Sequence, residues 1–130
     1  MARTHAFKDE LESESVELPE LGRYEWRTGR FGDQYVRFES VPAGFDDAEL
    51  LKGLPDDSCQ CEHYGYLFQG KFVFRYPDGS EDVVSAGQAY YARPGHTWKV
   101  LEDSETVEFS PADQFDRLME HVARNLEASG

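Results

Sequence analysis

The sequence predicts an all-β chain, a barrel or sandwich of short strands followed by one C-terminal helix. Three observations carry this. Turn-forming clusters recur through the middle of the chain, at Gly29–Asp33, Pro55–Ser58, Pro77–Ser80, Ala86–Gly87 and Arg93–Gly95. The segments between them alternate polar with aromatic or β-branched residues, the period-2 signature of strands. Only the end of the chain carries helical periodicity. At 130 residues there is length for one domain with a genuine core. The expected organisation is an acidic arm over 1–20, a barrel over 21–110 and a helix over 111–130.

In the first segment Asp9, Glu10, Glu12, Glu14, Glu17 and Glu20 outnumber Arg3 and Lys8. Its apolar residues, Phe7, Leu11, Val16 and Leu18, are too scattered to fix a helix, which predicts an arm that is mobile unless it packs on the domain or reaches across a dimer. Arg23–Thr28 and Gln34–Val41 then read as strands joined by the glycine-rich turn. Asp46–Leu54 reads as a short helix or turn, capped by Asp46 or Asp47 and stopped by Gly53. Strands are expected over His63–Gln69, Lys71–Tyr76, Asp82–Ser85, Gln88–Ala92, Thr97–Leu101 and Thr106–Phe109, a spacing that suits a sandwich or barrel. Phe115, Leu118, Met119, Val122, Ala123 and Leu126 form one stripe of an amphipathic helix. Ser110 is the expected N-cap, with Pro111 at the first helical position. His121 lies off the stripe and is expected to face solvent.

Charge and hydropathy exclude several classes. The net charge of −13, from 13 basic and 26 acidic residues, repels nucleic acid and anionic membranes. No apolar run reaches the roughly eighteen residues of a membrane helix, and no signal-peptide core stands near the start. A cytoplasmic protein is therefore expected. Cys59 and Cys61, spaced by one residue, are poorly placed for a mutual disulfide, so reduced thiols are expected. There is no phosphate-binding glycine loop with its lysine and no Gly-x-Ser-x-Gly elbow. The acidic pairs Asp46-Asp47 and Asp56-Asp57 fall in turns.

The chemistry-bearing stretch is Cys59-Gln-Cys-Glu-His63. On an extended strand, residues two apart share one face, so Cys59, Cys61 and His63 would all point inward. Thiolate and imidazole suit zinc, copper or iron. His96, in Pro94-Gly-His-Thr-Trp98, is the fourth candidate ligand. Most of the many aromatics must serve packing. Tyr66, Tyr91 and Trp98, with Gln69, are the candidates for lining a small-molecule pocket, which is typically apolar with a few directed polar groups.

From His63 onward the chain resembles the cupin superfamily. His63-Tyr-Gly-Tyr-Leu-Phe-Gln-Gly-Lys-Phe-Val-Phe74, Asp78-Gly79 and Ala86-Gly-Gln-Ala-Tyr-Tyr-Ala-Arg-Pro-Gly-His96 are similar to the first motif, the intermotif turn and the second motif. The resemblance is narrower still to small single-domain bacterial cupins with a Cys-x-Cys-x-His start and a Pro-Gly-His turn. It implies a jelly-roll β-barrel, commonly a homodimer, with an internal pocket for a small-molecule ligand or a divalent metal, zinc or iron. The usual cupin ligands are two histidines, a glutamate and a final histidine. Here the glutamate place falls on His63, the paired-histidine places on Asp57 and Cys59, and the last histidine place on Trp98. Either Cys59, Cys61, His63 and His96 form a substitute set, or the metal is lost and the barrel takes an organic ligand. The functions implied are a metal- or small-molecule-binding cupin or, as the alternative, a metal-dependent oxygenase, isomerase or cyclase.

Overall fold

The computed structural model describes residues 3–129, with side chains for residues 3–127. Seven strands, β1 (Ser13–Leu18), β2 (Gly22–Phe31), β3 (Gln34–Val41), β4 (His63–Arg75), β5 (Glu81–Ser85), β6 (Ala89–Ala92) and β7 (Thr97–Pro111), precede one helix, α1 (Ala112–Ser129). They pair antiparallel in the order β1-β2-β3-β7-β4-β5, with β6 on β4. This is the expected all-β architecture with a C-terminal helix, and it fits a jelly roll.

The segments His63–Gln69 and Lys71–Tyr76, expected as separate strands, run into the single strand β4; likewise Thr97–Leu101 and Thr106–Phe109 merge in β7. The two form a long ribbon whose register shifts between Leu67 and Phe72. Gly70 sits in that bulge at φ +98°, a conformation that side chains with a Cβ rarely adopt. A Cβ there would lie 2.3 Å from the Asp103 carbonyl oxygen. The bulge bends the ribbon, so β2 faces the first half of β7: Tyr24 meets Trp98 edge-on at 6.4 Å.

Beyond the bend the barrel is filled conventionally. Phe72, Phe74, Val84, Val100, Leu67 and Val41 form the buried core, with Tyr24, Phe45, Tyr90 and Trp98 packed against it. Each such aliphatic or aromatic side chain contributes about 1.5–3 kcal/mol on burial.

Three expectations need correction. The acidic segment is not wholly an arm, because Ser13–Leu18 pair with Gly22–Arg27. Its carboxylates find partners there: Trp26 Nε1 donates to Glu14 at 2.8 Å and Arg23 to Glu17 at 2.8 Å. Leu11 is buried against Gly29 and Val36, which anchors the start of this hairpin. Ser110 and Pro111 do not start the helix; they finish β7, paired with Tyr35 and Gln34. Ser110 is instead buried and its hydroxyl faces His63. Asp46–Leu54, expected as a short helix or turn, does hold a 3-10 turn over Ala48–Leu51. Finally, His121 is not left to solvent: its Nε2 donates to the Lys52 carbonyl at 2.6 Å, and Asn125 donates to the Leu50 and Lys52 carbonyls at 2.8 and 2.9 Å. These bonds dock α1 on the loop that leads to Cys59, over a second cluster of Leu51, Cys59, Cys61 and Phe115.

Candidate metal centre

Cys59 and His96 come from different loops that are stitched together by backbone. Cys59 N–H donates to the His96 carbonyl at 2.7 Å, and Gly95 N–H to the Cys59 carbonyl at 2.7 Å. Gly95 supplies the turn at φ +96°. His63 opens β4 directly beside them. One donor atom from each of Cys59, His63 and His96 lies within 4.8 Å of the others, and all three residues are buried. The separation between Cys59 Sγ and His63 Nε2 is 3.6 Å. A tetrahedral ion with bonds near 2.0–2.3 Å needs its ligand atoms about 3.3–3.7 Å apart. One edge already matches, and the others need to close by about 1.5 Å at most.

The two imidazoles are held so that the same kind of nitrogen faces this point. His96 Nδ1 lies 2.7 Å from the Arg93 carbonyl. A carbonyl only accepts, so Nδ1 carries the proton and Nε2 keeps a lone pair. His63 Nδ1 is 2.7 Å from Ser110 Oγ and 3.7 Å from Glu108 Oε2, which leaves its Nε2 toward Cys59. The rings meet edge-on at 5.1 Å. Burial pushes His63 down to about 4, and burial with the neighbouring His63 pushes His96 down to about 3. Both are neutral donors at physiological pH. Burial raises the Cys59 thiol well above its usual value, so binding a cation there would release a proton.

Cys61 stands apart from this triad. Its Sγ donates to the Glu62 carbonyl at 3.4 Å and lies 4.0 Å from His63 Nδ1, the edge turned away from the shared point. Burial first, then the Glu108 charge, lifts its thiol to about 12. Residues 59–62 are not a regular strand, so period-2 spacing does not bring both sulfurs to one place.

Of the four pocket candidates, Trp98 packs on the core and its indole N–H is buried with no hydrogen-bond partner. The other three are on the outside. Tyr91 stacks on Tyr64 with centroids 4.6 Å apart and donates to Glu62. Tyr66 is exposed. Gln69 lines a surface depression of about 330 Å³ with Lys8, Phe38 and Phe68.

Behind His63 lies a polar interior that the sequence reading passed over. Tyr90 donates to Glu108 at 3.0 Å, Tyr24 donates to Glu39, and Arg37 Nη2 pairs with Glu39 at 3.7 Å. Burial raises Glu108 to about 7, partly offset by Tyr90 and Arg37, and it raises Glu39 too, offset chiefly by Arg37. The Arg37 guanidinium lies 4.9 Å over Phe115 and 5.5 Å over Trp26. In this half of the sheet the usual pattern is inverted. Thr106, Glu108, Ser110, Arg37, Glu39 and His63 turn inward, while Tyr64, Tyr66, Phe68 and Phe109 turn outward. The legible signal was a strict polar alternation in Thr106-Val-Glu-Phe-Ser110, whose polar phase faces the lumen.

No protein-family model and no curated protein sequence matches the chain. Solved structures do. A crystal structure of an RmlC-like cupin from Shewanella frigidimarina superposes with TM-score 0.58 at 15% identity, over 85% of this chain and 93% of that one. KdgF from Halomonas sp. gives TM-score 0.55 at 23% identity, over 81% and 90%. The Fe(II) form of HppE gives 0.53 at 10% identity, over 81% of this chain and 58% of that one. These likenesses show a cupin-type fold. Among the described residues no helix is long and apolar enough to cross a membrane.

Proposed function

We propose that this chain is a divalent-metal-binding cupin whose ion is held by Cys59, His63 and His96, with a coordination position left for a small-molecule ligand. The observation that carries the reading is the convergence of three buried donors within 4.8 Å, with both histidines tied at Nδ1 and free at Nε2. A mixed sulfur–nitrogen set suits zinc or iron. When bound, the ion would supply Lewis-acid or, for iron, redox chemistry to whatever occupies the open position. The free thiols of Cys59 and Cys61 fit a reducing, cytoplasmic setting. An oxygenase, isomerase or cyclase role is the enzymatic form of this proposal.

Homodimerisation belongs to the same proposal. Two uncharged rungs cross the outer sheet, Tyr91–Tyr64–Phe109 and Ala89–Tyr66–Val107. Tyr64 and Phe68 are each 55% exposed in a chain of net charge −13. An exposed apolar face of this kind fits an interface, and a second copy matches it without placing like charges opposite each other.

Elemental analysis and Co(II) titration of reduced, untagged protein test the metal reading. One equivalent per chain is expected in the wild type, with loss in Cys59→Ser and in His96→Ala and retention in Cys61→Ser. A wild type that takes up no metal would sink the assignment.

A further inference from the structure

The inverted interior places an unusual demand on the fold. Buried carboxylates cost several kcal/mol each unless paired and hydrogen-bonded, yet the barrel keeps two, Glu39 and Glu108, where Leu or Met would fill the space. Their partners are specific. Glu108 Oε1 accepts from Tyr90, whose hydroxyl also meets Thr106 Oγ1 at 3.0 Å. Glu39, the neighbouring buried carboxyl, is itself fixed by Tyr24 and Arg37. The Glu108 carboxylate is thereby held by Tyr90 from β6, beside the Arg37–Glu39 pair of β3. The oxygen left over, Oε2, points at His63 Nδ1 from 3.7 Å.

We propose that Glu108 is a positioning residue for the metal centre: with Ser110 it holds the Nδ1 edge of His63, so that Nε2 faces the ion shared with Cys59 and His96. The inference rests on the metal reading of those three residues. Histidine ligands in metal proteins characteristically give their second N–H to a carboxylate, a carbonyl or a hydroxyl-bearing group, which fixes the ring and strengthens it as a donor. His96 uses the Arg93 carbonyl for this. His63 uses Ser110 for the hydrogen bond and Glu108 for the charge. Arg37, Glu39 and Tyr24 do not touch the ion in this scheme; they keep the Glu108 carboxylate from turning toward another donor. Cys61, on the same Nδ1 side, is excluded from the ion by the same arrangement.

The test is Co(II) titration of the wild type, Glu108→Gln, Glu108→Ala and Ser110→Ala, followed by visible absorption, with melting temperatures recorded alongside. Glu108→Ala is expected to bind about 10–100-fold more weakly, with altered d–d bands as His63 leaves the ion and a retained thiolate-to-cobalt band from Cys59. Glu108→Gln keeps an acceptor for Nδ1–H without the charge and should fall between Ala and wild type. It also keeps the shape of the site, so it carries the comparison if the alanine variant does not fold. A purely structural Glu108 would change the melting temperature and leave Co(II) affinity and spectrum as in the wild type; that result in any folded Glu108 variant overturns the inference alone. A wild type with no Co(II) uptake overturns the metal reading, and this one with it.

Discussion

Asp47→Asn should make the protein more stable at alkaline pH and leave it nearly unchanged in acid. Asp47 is half-buried in the loop before Cys59, where its Oδ1 accepts from Trp98 N–H at 2.8 Å and its own N–H donates to the Trp98 carbonyl at 3.1 Å. Burial raises its carboxyl from 3.8 to about 7; the Asp46 charge adds to this, and the Trp98 N–H and Arg75 oppose it. The folded state therefore holds a proton that the unfolded chain has lost, and between about pH 4 and 7 the group's contribution falls as pH rises. At about 1.4 kcal/mol per unit, a shift of this size caps the loss near 4 kcal/mol. Partial exposure of the side chain brings the expected value nearer 1–2 kcal/mol. Asparagine keeps the oxygen for Trp98 N–H and cannot ionise. Urea unfolding of wild type and variant at pH 4.5 and pH 8 measures the difference directly. Because Glu39 and Glu108 titrate in both proteins, only the change in the gap between them reports on Asp47. A gap that is the same at both pH values, or larger in acid, would refute the reasoning.

Gly70→Ala combines a left-handed backbone cost of about 1–2 kcal/mol with a Cβ only 2.3 Å from the Asp103 carbonyl oxygen, so a loss of at least about 3 kcal/mol is expected in denaturant unfolding; a loss below 1 kcal/mol would mean the bulge relaxes freely. Tyr64→Glu with Phe68→Glu should turn a dimer into a monomer by light scattering while Co(II) binding persists. A wild type that is monomeric at every concentration tested refutes the dimer.

Much of the fold was legible because ordinary signals carry it. Pro77-Asp-Gly and Arg93-Pro-Gly mark real turns, and the aromatic runs around Phe72 and Phe74 are real core. The helix was legible from its apolar stripe, though its start was misplaced: Ser110-Pro111 looks like a cap, but pairing with β3 and the bond to His63 take precedence. Three of the four proposed ligand residues do converge. Cys61 was grouped with them by a strand periodicity that the irregular 59–62 segment does not have. Glu39, Glu108 and Arg37 went unread because a charged residue in a strand ordinarily faces water. Their inward direction depends on which face of the sheet is enclosed, a tertiary fact that the local pattern does not contain.

The inverted half of the sheet also bears on how the chain finds its register. Side-chain period along a strand is two, so a slip of one residue exchanges the two faces. In most sheets that slip is punished by exposing the core. Here, over residues 63–66, a slip would carry Tyr64 and Tyr66 into the lumen and send His63 out, which local hydrophobicity does not oppose until the buried Leu67. The correct pairing must be imposed from the other side of Gly70, where Phe72 and Phe74 pair with Val84, Val100 and Trp98 and permit no such exchange. The bulge at Gly70 therefore transmits alignment from a half that packs well to a half that would misalign by itself. Variants that weaken the apolar half should accumulate a compact, metal-incompetent species with its tyrosines buried, and not simply unfold.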